Sequence, residues 1–163
     1  MQWAGPGVTL DQRQKKLLFQ IALAQWSTIG CVYGDRAIVL KATGELVGIC
    51  GFRPWICTAA ERSQFGLRGD DGHPFNTPEM GVGYALSSRH RGQGYAAEAV
   101  RALLEYAFRE LKVRRVVALA ERENVNSANL MARVGMTVGI NPDGEAVYPW
   151  AVGMIENNLD GGG

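Results

Sequence analysis

The sequence predicts an α+β fold in which a mostly antiparallel sheet carries helices on its faces. Apolar residues recur at helical spacing over Leu10–Trp26 and Tyr95–Leu111. Short apolar runs typical of strands lie between and after these two segments. The runs Asp35–Leu40 and Leu46–Phe52 flank the turn-forming residues Ala42–Glu45, so we predict that they form a hairpin.

Size and composition predict one domain over residues 1–163, without an internal repeat. Lys and Arg number 17 against 16 Asp and Glu, so no net charge favours nucleic acid or an anionic membrane. Three cysteines without a CxxC pair favour a reducing compartment, and two distant histidines cannot form a metal site on their own. No apolar run reaches membrane-spanning length, and Met1–Leu10 lacks the pattern of a signal peptide. We therefore expect a cytoplasmic protein that binds no metal, nucleic acid or membrane.

The first half of the chain predicts one helix, the hairpin and a long loop. Thr9 can cap the helix Leu10–Trp26, which follows a disordered end at residues 1–8. Arg53–Pro78 contains several glycines and prolines and shows no clear period. A loop of that length in a compact domain is usually functional or mobile. Residues 158–163 are glycine-rich and predict a disordered tail.

The second half predicts strands that alternate with helices. The strand Met80–Leu86 precedes the helix Tyr95–Leu111, and the strand Val113–Ala120 follows it. A short helix over Asn126–Val134 should end at Gly135, because glycine readily takes the left-handed conformation at a helix end.

Two extended runs close the sequence, Met136–Ile140 and Ala146–Ile155. Pro149 cannot donate a hydrogen bond to a sheet. The last strand should therefore be an edge strand or begin near Pro149.

The glycine-containing turn Arg89–Gly94 (RHRGQG) joins a predicted strand to a predicted helix. The first N–H groups of a helix have no partner within it and lie at its positive end, so they bind anions. Gly92 and Gly94 allow close approach and positive φ angles, while Arg89 and Arg91 add positive charge. The turn therefore predicts a diphosphate site, with a plain strand–helix turn as the alternative.

Two other phosphate-binding motifs fit this turn poorly. A P-loop requires Gly-Lys followed by Ser or Thr, and the sequence contains no Gly-Lys pair. A dinucleotide-binding fingerprint is expected near the opening βαβ unit, with an acidic residue about twenty positions further on. Here the turn lies past the middle of the chain, and the strand Val113–Ala120 occupies that region.

Several motifs in order resemble the GNAT acetyltransferases, and most closely the branch of the ribosomal-protein N-terminal acetyltransferases. Residues Glu79–Ala99 (EMGVGYALSSRHRGQGYAAEA) resemble the acyl-CoA motif of that family. Asn124 and Ser127, followed by Arg133–Met136 (RVGM), resemble its next helix and turn. Leu46–Phe52 resembles the hairpin strand before its acceptor loop, so the likeness runs from Asp35 to Met136.

The resemblance implies a mixed sheet whose diverging strands hold acetyl-CoA as co-substrate, without a metal. The diphosphate would lie on the turn Arg89–Gly94, and the pantetheine arm would bond to the backbone near Leu86. Asn124 would reach the pantetheine, and Ser127 would lie close to the departing sulfur. The implied donor-binding residues are Tyr84, Leu86, Arg89, His90, Arg91, Gly92, Gln93, Gly94, Tyr95, Ala96, Asn124 and Ser127.

Acetyl transfer to a primary amine, by direct attack in a ternary complex, needs a base, a polarised thioester and a proton for the thiolate. Glu79 is the candidate base, acting directly or through water; the alternative is a solvated acid at the end of a loop. Ser127 is the candidate acid, and it could instead cap the Asn126–Val134 helix. Many family members place a Tyr acid where this chain has Met131, which cannot donate a proton.

Acceptor and assembly are less constrained by the sequence. A protein N-terminus or a small-molecule amine could be the acceptor. Trp55, Phe65, Phe75 and Tyr84 could line the acceptor pocket or pack under the long loop. The family's opening strand has no convincing counterpart before Leu10, so an exposed sheet edge could pair in a homodimer. The alternative function is a non-catalytic acyl-CoA-binding protein of the same fold.

Overall fold

The computed structural model describes residues 32–65, 75–140 and 150–157 of the chain. From Asp35 onward these residues belong to one compact unit, Asp35–Gly163. The predicted helix Leu10–Trp26, the predicted disordered ends and Pro149 lie outside the described residues.

One mixed sheet with strand order β1-β2-β3-β4-β6-β5 forms the centre of the described part of the chain. Three neighbouring pairs, β2–β3, β4–β6 and β5–β6, are antiparallel, and the pair β3–β4 is parallel. This arrangement confirms the predicted α+β fold with a mostly antiparallel sheet. The elements are β1 (Gly34–Val39), β2 (Leu46–Cys57), α1 (Ala59–Phe65), β3 (Thr77–Leu86), α2 (Tyr95–Arg109), β4 (Arg115–Glu121), α3 (Val125–Arg133), β5 (Thr137–Ile140) and β6 (Trp150–Glu156).

The predicted hairpin is present between β1 and β2. The N–H of Leu40 donates to the carbonyl of Glu45 at 2.9 Å, and the N–H of Gly44 donates back to the carbonyl of Leu40 at 2.8 Å. Gly44 has a φ of +73°, which a residue with a side chain rarely adopts. The glycine therefore allows the tight closure of this turn.

The predicted loop Arg53–Pro78 is wrong over most of its described length. β2 continues through Pro54 to Cys57, α1 follows it, and β3 begins at Thr77. Backbone groups along a strand point alternately to its two neighbours. Because the N–H of Ser87 bonds to Val47 and the pairing is regular, Pro54 falls at a position that faces away from β3. Its missing N–H therefore costs no hydrogen bond in the β2–β3 ladder. The number of prolines in a segment does not show whether they occupy such positions.

Helices α2 and α3 lie on one face of the sheet. A row of residues on this face runs across four strands through Phe52, Val82, Ala118 and Gly153. The ring of Tyr106 in α2 stacks on Phe52 with centroids 6.5 Å apart. A Cβ on Gly153 would come within 2.9 Å of the Met131 sulfur in α3, so the absence of a side chain there admits the helix.

The opposite face carries a second apolar cluster and helix α1. Its fully buried members come from three strands, and partly buried aromatic and aliphatic side chains pack against them. The cluster consists of Cys57, Val117, Val152 and Met154, with Trp55, Phe65 and Leu119 around them. The sheet is thus covered on both faces along its centre.

Gly135 ends α3 as the sequence predicts. Its φ is +95°, the N–H of Met136 bonds to the carbonyl of Met131, and the N–H of Gly135 bonds to that of Ala132. This is the paired pattern of a Schellman motif. The chain is thereby turned directly into β5.

Replacing Leu104 by Ala should lower the free energy of unfolding by about 2–5 kcal/mol, because a buried aliphatic side chain is lost and a cavity remains. Leu104 is 5% exposed on α2. The matched control is Leu46→Ala, since Leu46 is 62% exposed and should change stability by less than about 0.5 kcal/mol. Urea denaturation of both variants measures the difference, and equal losses would contradict this assignment of the core.

Candidate active site

The turn Arg89–Gly94 joins β3 to α2 through a short 3₁₀ segment, Ser88–His90. Gly92 and Gly94 have φ angles of +76° and +90°, and a Cβ on either would meet no atom within 4 Å. The backbone therefore needs glycine for its conformation, and its outer side is open to a ligand. Gly94 is the N-cap of α2 and makes no side-chain cap.

Charged side chains surround this turn unevenly. Arg89 and Arg91 are exposed and available to an anion. The His90 ring is mostly buried, with its Nε2 atom 3.5 Å from a carboxylate oxygen of Glu45. His90 therefore ties the turn to the β1–β2 hairpin. The Gln93 side chain donates to the carbonyl of Arg89 at 3.2 Å and closes the turn on itself.

Strands β3 and β4 diverge beyond a short parallel ladder. The ladder pairs Met80–Val82 with Val116–Ala118, although β3 runs on to Leu86 and β4 to Glu121. By the alternation that starts from the Ser87–Val47 bond, the N–H and C=O groups of Tyr84 and Leu86 point away from β2, toward β4. The space between residues 83–86 of β3 and 119–121 of β4, called the cleft below, is therefore lined by backbone donors and acceptors.

Helix α3 begins beside this cleft. The side chain of Asn124 caps the helix by accepting a hydrogen bond from the N–H of Ser127 at 3.1 Å. The alternative that Ser127 is the cap is therefore wrong: it occupies the third helical position, and its N–H is the capped group. The Ser127 hydroxyl makes no hydrogen bond within the described residues, and the amide nitrogen of Asn124 is not used by the cap.

Tyr84 connects β3 to α3. Its hydroxyl donates to the backbone carbonyl of Ser127 at 3.2 Å. Burial raises the pKa of the Tyr84 hydroxyl above its ordinary value, and the hydrogen bond to Ser127 lowers it by less. The phenol is therefore protonated at neutral pH, and it lies on the face of the sheet that α3 covers.

Met131, which stands where the resemblance places a tyrosine, is fully buried. Its sulfur packs close to Gly153 of β6. The side chain is thus part of the core beneath α3. No proton donor comes from position 131.

Glu79 lies on the other face of the sheet, beside a buried arginine. Its carboxylate is 3.5 Å from Arg115 and accepts a hydrogen bond from the Thr77 hydroxyl at 2.9 Å. The Arg115 side chain is 4% exposed and is also 3.9 Å from Glu156. Glu79 is therefore held in a buried ionic network, not solvated at the end of a loop.

The sequence reasoning missed Arg115 as a site residue. The signal for it is weak, because Arg114 and Arg115 are adjacent and only the register of β4 decides which one turns inward. Register pairs Arg115 with Glu156, while Arg114 is exposed. The available clue was that two adjacent arginines interrupt an otherwise apolar predicted strand, where alternation turns one of them inward.

Burial sets the acidity of Glu79. It raises the pKa of the carboxyl above its ordinary value, and the Thr77 hydrogen bond and the charge of Arg115 offset this rise only in part. A carboxylate with a raised pKa is a stronger base than an exposed one.

The predicted site residues form two groups. The turn, Leu86, Tyr84, Asn124 and Ser127 gather along the cleft and the α3 side of the sheet. Glu79 is five residues before Tyr84 on β3, about 17 Å along the strand at ~3.4 Å per residue, and on the opposite face. The structure does not bring Glu79 and Ser127 together.

The remaining candidates are placed as follows. Trp55 and Phe65 pack against the apolar cluster on the Glu79 face, and Phe75 is exposed.

No helix among the described residues is long and apolar enough to cross a membrane. The same residues contain no group of three His, Cys, Asp or Glu side chains that could hold a metal ion.

Comparison with known proteins places this architecture in a family. The model of the acetyltransferase (GNAT) domain matches residues 1–137. A match of that extent shows that the chain belongs to the GNAT acetyltransferase family.

Two curated relatives and one solved structure illustrate the likeness. The uncharacterized N-acetyltransferase p20 of Bacillus licheniformis is 33% identical over 95 residues, which are 58% of this chain and 43% of that protein. The FsC-acetyl coenzyme A-N(2)-transacetylase of Aspergillus fumigatus is 36% identical over 96 residues, which are 59% of this chain and 36% of that protein. The chain thus spans less than half the length of these relatives. An acetyltransferase from Agrobacterium tumefaciens strain C58 superposes with a TM-score of 0.61 and 27% identity, covering 93% of this chain and 74% of that one.

These matches confirm the superfamily that the sequence motifs predicted. None of the three singles out the ribosomal-protein branch. That branch stays a prediction.

The ionic network makes stability depend on pH through Glu79. Because the pKa of Glu79 is raised in the folded state, the folded protein binds more protons than the unfolded chain at pH values just above the ordinary glutamate pKa of about 4.3. Stability contributed by the neutral form is present below that value and is lost as the pH rises through the folded-state pKa. The stability of the wild type relative to Glu79→Gln should therefore fall as the pH rises through this window.

Denaturation curves from pH 4 to 8 measure this difference. Glu110→Gln, at an exposed carboxylate after α2, is the control for removing one negative charge and should follow the wild-type curve. An increase of the wild-type advantage with pH would mean that the attraction of Arg115 outweighs burial.

Proposed function

We propose that the protein is an acetyl-CoA-dependent N-acetyltransferase that moves an acetyl group to a primary amine by direct attack in a ternary complex. Membership of the GNAT family supports this function, and the name of the Aspergillus relative includes acetyl coenzyme A. The observation that carries the proposal is the cleft. It opens where the β3–β4 ladder ends, and the glycine turn at the start of α2 lies at its mouth.

Each part of acetyl-CoA would bind to a different segment of the chain. The diphosphate would accept hydrogen bonds from the backbone of Arg89–Gly94 and the first turn of α2, where Tyr95 and Ala96 lie. The pantetheine amides would pair with the inward-pointing backbone of Leu86 as a further strand does. The amide nitrogen of Asn124, left over from the helix cap, is a further donor.

The chemistry requires a neutral amine and a polarised thioester. Amines have pKa values of about 8 to 10, so the attacking nitrogen must lose a proton. Glu79, with its raised pKa, would take it through water, because it lies on the opposite face from the α3 end of the cleft. A backbone N–H of β3 in the cleft would stabilise the oxyanion that forms on the acetyl carbonyl.

The acceptor is a small-molecule amine or a protein N-terminus. Cytoplasmic location and a homodimer are further proposals that follow from the cysteine content and from the sheet edges. The carboxylate of Glu79 suits a cationic amine, and every candidate acceptor provides one.

Release of free CoA thiol from acetyl-CoA, with a panel of amines and N-terminal peptides, tests the proposal. The wild type should release thiol with at least one acceptor class. Arg91→Ala should raise the KM for acetyl-CoA by roughly tenfold, because an exposed charge-assisted hydrogen bond to phosphate is lost.

The matched control is Arg109→Ala, an exposed arginine at the other end of α2, which should leave that KM unchanged. CoA binding without thiol release across the whole panel would instead identify a non-catalytic acyl-CoA-binding protein. Equal effects of the two arginine variants would contradict the assigned diphosphate site.

A further inference from the structure

The source of the proton for the departing thiolate is unresolved by the sequence motifs. Position 131 cannot supply it, because methionine carries no acidic proton and the Met131 side chain is fully buried against Gly153. Two hydroxyl groups of the described residues lie at this turn of α3, those of Ser127 and Tyr84.

The Tyr84 hydroxyl reaches the turn of α3 that Met131 belongs to. It donates to the carbonyl of Ser127 at 3.2 Å, and in an α-helix that carbonyl also accepts from the N–H four residues later, at Met131. The phenol oxygen thus lies beside the turn Ser127–Met131.

Tyr84 also borders the cleft itself. Its own backbone N–H and C=O point into the cleft, two residues before those of Leu86 (Ser87 to Val47 sets the alternation). A group bound between β3 and β4 would therefore lie against the residue that carries the phenol. A ligand can replace the Ser127 carbonyl as the acceptor of the Tyr84 hydroxyl, because that carbonyl keeps its hydrogen bond from the N–H of Met131 within the helix.

A phenol suits this task better than an aliphatic hydroxyl. Tyrosine ionises near pH 10, and it is among the side chains that act as general acids, because acid catalysis is most effective when the acid's pKa is near the working pH. Serine holds its proton too tightly to act in this way. Burial raises the pKa of the Tyr84 hydroxyl, so the phenol is a weaker acid than an exposed tyrosine but is fully protonated at neutral pH and remains a far stronger acid than an aliphatic hydroxyl.

We propose that Tyr84 donates the proton to the departing CoA sulfur, in a step that rests on the proposed acetyl transfer. The amine nitrogen bonds to the acetyl carbon and loses one proton to Glu79 through water. The tetrahedral intermediate then breaks its C–S bond, and the electron pair goes to sulfur as the Tyr84 O–H proton is transferred to it. The second proton of the attacking nitrogen passes through water to the phenolate, and Glu79 releases its proton to solution. The protonated amine and the thioester therefore give the amide, the CoA thiol and one proton.

Tyr84→Phe tests this assignment, with kcat measured by thiol release and CoA affinity measured by calorimetry. The variant should lower kcat by about 10²-fold, the lower range of acid–base contributions, and leave the CoA Kd within about twofold. Tyr106→Phe removes the same hydroxyl from a more exposed ring on α2 and should leave both values unchanged. Ser127→Ala removes the competing hydroxyl and should lower kcat less than Tyr84→Phe does.

A second replacement keeps the test informative if the phenylalanine variant folds poorly. Placing 3,5-difluorotyrosine at position 84 keeps the shape and the proton donor, and it should turn over at least ten times faster than Tyr84→Phe. A Tyr84→Phe enzyme as fast as the wild type, a parallel loss of CoA affinity, or a larger loss of kcat in Ser127→Ala than in Tyr84→Phe would overturn the assignment. Absence of thiol release by the wild type would instead overturn the proposed function, and the assignment with it.

Discussion

The early end of hydrogen bonding between β3 and β4 is the constraint on which the rest of the site depends. Three residues of each strand pair in parallel, and β3 then continues without this neighbour to Leu86. Buried backbone N–H and C=O groups are almost always paired. The backbone groups of β3 that face the gap can therefore form hydrogen bonds with a ligand that binds there. The geometry is that of a sheet opened to accept one more extended chain, which describes a pantetheine arm well.

The elements around this gap follow from it. The chain leaving β3 passes directly into the glycine turn, so the positive end of α2 follows the opened strand within a few residues. Helix α3 begins on the other side of the gap, where Asn124 caps it and Tyr84 bonds to its first turn. Charge is divided between the two faces of the sheet: exposed arginines accompany the turn, and the buried Glu79–Arg115 pair lies opposite. A donor and an acceptor that enter from opposite faces would meet at the level of the gap.

Much of the fold could be predicted from sequence, because local signals dominate it. The hairpin turn, the stop at Gly135 and the positive φ angles of Gly92 and Gly94 each depend on residues within a few positions. The prediction of a long loop was wrong because Pro54 lies at a strand position whose N–H faces away from β3. Which positions face away depends on the register of the strands. The pairing of Glu79 with Arg115, and of Tyr84 with Ser127, joins residues that are 36 and 43 positions apart in the sequence (115 − 79 and 127 − 84). No local pattern encodes such contacts, so the environment of Glu79 and the position of the Tyr84 hydroxyl came only from the structure.

The central claim is that the cleft between β3 and β4, with the turn at its mouth, holds CoA. Residue-resolved amide hydrogen exchange by NMR, with and without CoA, tests it most directly. The account predicts slower exchange at Leu86 and over Gly92–Ala96 when CoA is added, with β5 and β6 unchanged. Unchanged exchange at Leu86 and at the turn, with protection appearing on β5 or β6, would contradict it.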